Sequence, residues 1–256
     1  MEAKCYAKVN VFLKIVGTRD SYHELASRFC RVHDLYDLMF FEKTNSRKTF
    51  KIIGDFTCDV NSNTVYKIYN HIKYMAGVED FFSRHTVRVE KNIPEFAGLG
   101  GGSSNAATFL LMANKYCNLG LSKDEMSKIG EKVGADVPFF IYEYDSANVS
   151  GIGEIVQEFK EEPLSLEVFT PKVKCNTKEI FTKFREKYYN IPTNKEIKEL
   201  LNKKSIDILK EYDFEYLNDL YKPALDVNGD LKEYSKNGYF FSGSGSSFFK
   251  LKQESM

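Results

Sequence analysis

Residues 94–107 read Pro94-Glu-Phe-Ala97-Gly98-Leu99-Gly100-Gly101-Gly102-Ser103-Ser104-Asn105-Ala106-Ala107. Four glycines and two serines stand here between a stretch with the composition of a strand and one with the composition of a helix. Glycine lets a backbone approach a ligand closely and adopt positive φ, and the first N–H groups of the following helix have no partner inside it. Together with the helix dipole these groups make an anion site, most naturally for phosphate. A flexible glycine turn is the other reading of such a run, and the helix start directly behind the glycines favours phosphate.

Known phosphate loops do not match it. The chain has no Gly-Lys dipeptide and hence no Walker A loop. Ser103 stands where a dinucleotide fingerprint needs its third glycine, and the protein-kinase signatures His-Arg-Asp and Asp-Phe-Gly are absent. His23, His33, His71 and His85 are too far apart for zinc-finger or metalloprotease spacing, so no metal ligands are assigned.

Three more groups could do chemistry. Asp136 follows Gly134 and precedes Pro138, so it sits in a tight connection, where an aspartate serves as a local hydrogen-bond acceptor or as a base. Lys8 and Asn10 fall on one face of a period-two pattern, as strand-face groups or as ligands. Tyr22 and His23 put a ring and an imidazole side by side, suited to stacking on a base and bonding its edge, or to plain packing. A second Gly/Ser run, Ser242-Gly243-Ser-Gly245-Ser-Ser247, reads by composition as a flexible turn.

These groups need elements to carry them. Val9, Val11, Leu13 and Ile15 alternate with Lys8, Asn10, Phe12 and Lys14, which predicts a half-buried strand over Tyr6–Ile15. Tyr36–Lys43, Thr49–Ile53 and Thr86–Lys91 are further strand candidates. Asn63 is placed to cap a helix with the stripe Val65, Ile68, Tyr69 and Ile72. A second helix is expected from Ser104 to Cys117. A third opens with the capping box Ser122–Glu125, carries Met126, Ile129 and Val133, and stops at Gly134. Glu158–Pro163 reads as a linker. Beyond it, Lys178–Tyr188 and Thr193–Tyr212 are helical, with mixed charges on a solvated face.

With 256 residues, 43% hydrophobic and 28% charged, the chain is long enough for one large domain or two small ones and is not disordered. Lys and Arg number 36 and so do Asp and Glu, giving no overall pull toward nucleic acid or an anionic membrane. No 18 apolar residues run together. The N-terminal stretch lacks the basic start and apolar run of a secretion signal, and Cys5, Cys30, Cys58, Cys117 and Cys175 form no Cys-x-x-Cys pair. A cytoplasmic protein with reduced, mostly buried thiols is expected.

The motif from Pro94 to Ala107 resembles the nucleotide loop of the GHMP kinase superfamily, which includes galactokinase and the homoserine and mevalonate kinases. Three other blocks agree in order: Ala7–Leu13 with Tyr22-His23-Glu24-Leu25, Gly134–Phe140, and Phe241–Ser247. Triple glycine followed by Ser-Ser-Asn is most similar to members whose acceptor carries a cytidine diphosphate group. The resemblance implies an α+β two-lobed kinase, with an N-terminal lobe over 1–155 that holds a mixed sheet, the ATP loop and the catalytic residues, and a C-terminal lobe over 156–256. It implies ATP as phosphoryl donor with Mg²⁺, Asp136 and Lys8 as the catalytic pair, and a small-molecule acceptor with no nucleic acid or membrane partner, on a monomer or homodimer. Asn10, Tyr22, His23, Thr177 and Phe181 fall where the family binds the acceptor. Asn63, Lys91, Pro94, Ala97, Gly98–Ser104, Gly243 and Gly245 fall where it binds ATP. Ser21 stands where the family has glycine, and Asn218-Asp219-Leu220-Tyr221-Lys222-Pro223 departs from an Asn-Asp-Leu-Glu-Pro block. Another small-molecule kinase of the superfamily, or a non-catalytic binding protein on the same fold, is the alternative.

Overall fold

A computed structural model describes residues 1–20, 22–45, 49–235 and 238–252, so Ser21 lies outside the described residues. Two long strands come first, β1 (Glu2–Arg19) and β2 (Tyr22–Lys43), then β3 (Ile52–Gly54), α1 (Thr64–Ile72), α2 (Val78–Ser83) and β4 (His85–Glu90). The phosphate-type run leads into α3 (Gly101–Tyr116), followed by α4 (Lys123–Gly130), α5 (Val137–Tyr142), β5 (Ser146–Gly151), β6 (Ile155–Glu158) and β7 (Leu166–Phe169). Helix α6 (Thr177–Lys183) runs into a π turn at Phe184–Tyr188, then come α7 (Asn194–Asn202), α8 (Ser205–Glu211), α9 (Phe214–Leu217), α10 (Tyr221–Val227), β8 (Phe240–Phe241) and β9 (Phe248–Leu251).

The chain divides into two compact units, each assembled from separate stretches. The first holds Met1–Ala7, Leu35–Ile93 and Gly100–Glu143; the second holds Lys8–Asp34, Pro94–Leu99 and Tyr144–Met256. In the first unit, β2 pairs antiparallel with β4 (Leu38 opposite Glu90) and β3 pairs parallel with β4 (Ile52 opposite Val87), which makes the sheet mixed. Its core is aromatic: Phe41 lies edge-on to Phe82 at 5.1 Å and to Phe109 of α3 at 5.7 Å. In the second unit, the early half of β2 pairs antiparallel with β5 (Leu25 opposite Gly151), β5 pairs with β6, and β7, β9 and β8 form a separate antiparallel sheet.

Several expectations hold locally. Asn63 caps α1 by accepting from the Val65 N–H at 2.9 Å, and Val65, Ile68 and Ile72 are buried. The capping box of Ser122 and Glu125 is closed in both directions at the start of α4.

Others need correction. Strand β1 is not half-buried: Lys8, Asn10, Phe12 and Lys14 are as enclosed as Val9, Val11 and Ile15, because each polar member finds a partner from a distant part of the chain. Strand β2 begins at Tyr22, fourteen residues before the expected Tyr36, and β3 covers only the end of Thr49–Ile53. Helix α3 begins at Gly101, so two glycines sit inside its first turn. Helix α4 ends at Gly130, before Val133. Glu158–Pro163 is no free linker. Glu161 accepts from the Ser146 hydroxyl at 2.5 Å and the Ser205 N–H at 2.7 Å, and it faces fully buried Arg28 at 3.5 Å. Among the described residues no helix is long and apolar enough to cross a membrane. All five cysteines are free.

Candidate active site

In the second unit the period-two geometry of β1 puts Lys8 and Asn10 on one face, and both are buried. The Lys8 ammonium donates to Asn10 Oδ1 at 2.7 Å and to the Gly98 carbonyl at 3.1 Å, and lies 4.6 Å above the Phe29 ring. The Lys8 N–H donates to the Leu99 carbonyl at 3.0 Å, so backbone and side chain both grip the start of the glycine run. Ser242 closes the cluster: its hydroxyl donates to the Gly98 carbonyl at 3.1 Å and accepts from the Asn10 N–H at 3.4 Å. Gly98 has φ 73°, and a Cβ there would run into the Ser242 carbonyl. Only glycine lets the two runs approach this closely. Gly243 lies 3.3 Å, by its missing Cβ, from Asn10 Oδ1. Asn218 braces this second run by donating to the Phe241 and Gly243 carbonyls at 2.9 and 3.0 Å.

An aromatic platform occupies another part of the same unit. His23 stacks on Phe181 with ring centroids 5.0 Å apart and meets Phe184 edge-on at 5.8 Å. Burial pushes the His23 imidazole below its ordinary pKa, and nearby Arg185 adds to the shift. His23 Nε2 is buried with no hydrogen-bond partner among the described residues. Tyr22, at the very start of β2, is 60% exposed. Thr177 opens α6 and shares a 2.8 Å hydrogen bond with Ser244. An open ring, a stacked pair and an unspent ring nitrogen can take a flat heteroaromatic ligand.

In the first unit Gly100 is the N-cap of α3, with φ 71°. The Ser104 hydroxyl is buried there without a partner among the described residues. The Thr64 hydroxyl donates to the Gly102 carbonyl at 2.6 Å. A Cβ on Gly134 would lie 3.4 Å from the Ser103 hydroxyl, which brings the Gly134–Asp136 block beside the start of α3. Asp136 occupies the N-cap position of α5, with Pro138 in its first turn. Lys91 forms an ion pair with Asp37 and donates to Asn105 Oδ1 at 3.0 Å. Asp37, fully buried, also accepts from Asn105 Nδ2 at 2.8 Å and from the Asn92 and Ile93 N–H groups at 2.7 and 2.8 Å. No group of three His, Cys, Asp or Glu capable of holding a metal occurs among the described residues.

Lys8, Asn10, Gly98 and Gly243 are thus gathered in one unit, with Thr177 joined to the same Gly/Ser run through Ser244 and Phe181 following on α6 beside His23. Gly100–Ser104, Asp136, Asn63 and Lys91 belong to the other. Pro94 is exposed, Ala97 is buried with its carbonyl accepting from Ser247, and Gly245 sits against the Phe241 ring. Sequence reasoning missed Ser27, Asp37, Asn105 and Ser242 as supports. A lone polar residue in an apolar strand, such as Asp37 in Leu35–Phe41, was the available signal.

The chain matches the GHMP kinases N terminal domain over residues 63–144. It is 49% identical to the 4-diphosphocytidyl-2-C-methyl-D-erythritol kinase of Sulfurimonas denitrificans, over 98% of this chain and 97% of that one. It is 43% identical to the protein of the same name from a Sulfurovum species, over 96% and 97%. A crystal structure of 4-(cytidine 5'-diphospho)-2C-methyl-D-erythritol kinase superposes with a TM-score of 0.78 at 28% identity, covering 99% of this chain and 90% of that one. The mevalonate kinase of Methanococcus jannaschii, at TM-score 0.59 and 16% identity, shares the fold. An α+β architecture with a mixed sheet, the glycine run at the start of α3 and near full-length identity agree: the chain belongs to the family of 4-diphosphocytidyl-2-C-methyl-D-erythritol kinases, within the GHMP kinases.

Proposed function

We propose that the protein transfers the terminal phosphoryl group of ATP to the 2-hydroxyl of 4-diphosphocytidyl-2-C-methyl-D-erythritol, a step in isoprenoid precursor synthesis, by direct in-line displacement. The observation that carries this reading is the buried Lys8 ammonium, bonded at once to Asn10 and to the backbone of the glycine run. A buried ammonium is costly, and its use on developing negative charge explains its retention. Asp136 takes the proton from the acceptor hydroxyl as its oxygen attacks phosphorus, and ADP leaves with the bonding pair. Lys8 orients the hydroxyl and offsets the charge on the transferring group. N–H groups at the start of α3 hold the phosphate oxygens, and the absence of side chains at Gly100–Gly102 leaves them room. Tyr22, His23 and Phe181 take the cytosine ring, with His23 Nε2 as an edge contact; Asn10 and Thr177 hold the remainder of the acceptor. Asn63 and Lys91 serve the nucleoside of ATP.

Ser103 and Ser104 at the start of α3, the latter with a hydroxyl unpartnered among the described residues, would be the groups to hold a Mg²⁺ there. Magnesium would neutralise phosphate charge there. Burial pushes the thiols of Cys5, Cys30, Cys117 and Cys175 up to about 11, which keeps them protonated and unreactive, and we place the enzyme in the cytoplasm because all five cysteines are free. We take residues 1–155 and 156–256 as the two lobes in chain order, with the glycine run, Lys8 and Asp136 all in the first.

ADP release tests the reading, with ATP, Mg²⁺ and the cytidylyl acceptor, and with mevalonate and homoserine as controls. The expected result is turnover on the cytidylyl acceptor alone, lowered by roughly 10²- to 10⁴-fold in Asp136→Asn. Wild-type turnover in that variant overturns the base. Turnover on a control acceptor alone overturns the roles of Tyr22 and His23.

A further inference from the structure

Ser27 lies inside β2, opposite Val149 of β5, and is fully buried. Its hydroxyl donates to the Phe12 carbonyl at 2.5 Å and accepts from Asn10 Nδ2 at 3.0 Å. On the far side of that amide, Asn10 Oδ1 accepts from the Lys8 ammonium at 2.7 Å. The direction of this chain of bonds is fixed at both ends. A carbonyl only accepts, so the single proton of Ser27 is committed to Phe12, and the hydroxyl can offer Asn10 only a lone pair. An ammonium only donates, so Lys8 requires an oxygen. Both demands are met by one orientation of the Asn10 amide, with nitrogen toward Ser27 and oxygen toward Lys8.

We propose that Ser27 is a positioning residue for the phosphoryl transfer: it locks the Asn10 amide in the orientation that holds the Lys8 ammonium on the Gly98 carbonyl. This rests on the role proposed for Lys8. Without the hydroxyl, the buried Asn10 N–H loses its acceptor, the amide is free to turn, and Lys8 then meets an N–H where it had an oxygen. Ser242 does not replace the lost bond, since it receives the backbone N–H of Asn10 and not its side chain. The serine is fully buried, bonded to Asn10 and the Phe12 carbonyl, and acts through Asn10.

Steady-state kinetics on Ser27→Ala, Ser27→Val and Ser27→Thr test this, with urea denaturation showing that each variant is folded. Thr and Val share one shape, and only Thr keeps the hydroxyl. The expected result is a roughly tenfold loss of kcat in Ala and Val with the KM for ATP unchanged, and near wild-type kcat in Thr. In an Asn10→Ala background, Ser27→Ala should cost less than about twofold more, because its route of action is already gone. Wild-type kcat in Ser27→Ala, equal losses in Thr and Val, or a fully additive loss in the double variant overturns the proposal. Lys8→Met is measured alongside. Full turnover there overturns the role of the lysine, a failure distinct from that of the serine.

Discussion

The two Gly/Ser runs, Gly98–Ser104 with four glycines and two serines and Ser242–Ser247 with two glycines and four serines, have opposite fates for their serine hydroxyls. In the second run every serine is buried and bonded within the protein. Ser242 donates to Gly98, Ser244 pairs with Thr177 at 2.8 Å, Ser246 donates to the Pro171 carbonyl at 3.4 Å, and Ser247 pairs with Thr170 at 2.7 Å. The first run opens a helix whose leading N–H groups have no partner within it, and the Ser104 hydroxyl is unpartnered among the described residues. One run is a clamp whose serine hydroxyls are all engaged within the protein. The other leaves the Ser104 hydroxyl without a partner among the described residues, beside the helix start where phosphate binding is proposed. Glycine content alone does not tell these two settings apart; the fate of the serine hydroxyls does.

Glycine substitutions break this comparison most sharply. At Gly98, whose φ is 73°, a Cβ collides with the clamp at the Ser242 carbonyl, and the expected cost of Gly98→Ala is about 2–4 kcal/mol with loss of turnover. At Gly102 the backbone is helical and a Cβ meets only Thr64 at an ordinary 3.7 Å. Gly102→Ala should therefore hold or gain up to about 1 kcal/mol of stability while the KM for ATP rises several-fold. Urea midpoints and ATP titrations of the two variants check this. Equal stability in both would mean that Gly98 is not the point of contact.

How much of this was legible in the sequence follows the range of each interaction. Signals within a few residues could be read: the Asn63 cap, the capping box of Ser122 and Glu125, the alternation that pairs Lys8 with Asn10, and the glycine run itself. Long-range closures could not. Lys14 looked like a solvent-facing charge, yet its ammonium meets Asp219 at 2.5 Å, and Asp219 also accepts from the Ile15 N–H at 2.8 Å. Glu161 looked like part of a linker because its partners, Arg28 and Ser205, lie far away in sequence. The first half of β2 escaped notice because Arg28 and Arg31 interrupt its apolar pattern, although Arg28 is buried against the Phe159 ring at 3.3 Å. Gly101 and Gly102 disguised the start of α3, since glycine is a poor helix former and reads as loop.

A smaller effect sharpens the comparison at the serines. Ser244→Ala removes the bond to Thr177 and leaves a threonine hydroxyl short of a partner at the start of α6, the helix that carries Phe181. A loss of about 1 kcal/mol in stability is expected, together with a raised KM for the cytidylyl acceptor and an unchanged KM for ATP. Ser103→Ala, in the open run, should show the reverse: stability within about 0.5 kcal/mol of wild type, and the defect confined to ATP. If both serines affect only stability, neither run serves a ligand.

The smallest expected effect concerns pH and the aromatic platform beside the clamp. Burial and Arg185 lower the pKa of His23, so the folded protein resists a proton that the unfolded chain binds near the ordinary value of about 6.5. His23 therefore contributes stability that is fully present above that pH. The contribution declines as pH falls toward the folded pKa, because the unfolded state gains the proton first. Urea midpoints of wild type and His23→Phe between pH 7.5 and 5.5 isolate the term, since phenylalanine keeps a ring against Phe181 and cannot titrate. The wild type should lose more stability on acidification than the variant. Parallel pH profiles would mean that the imidazole is not held neutral by its burial, and would remove the case for the uncharged ring nitrogen on which the proposed cytosine contact depends.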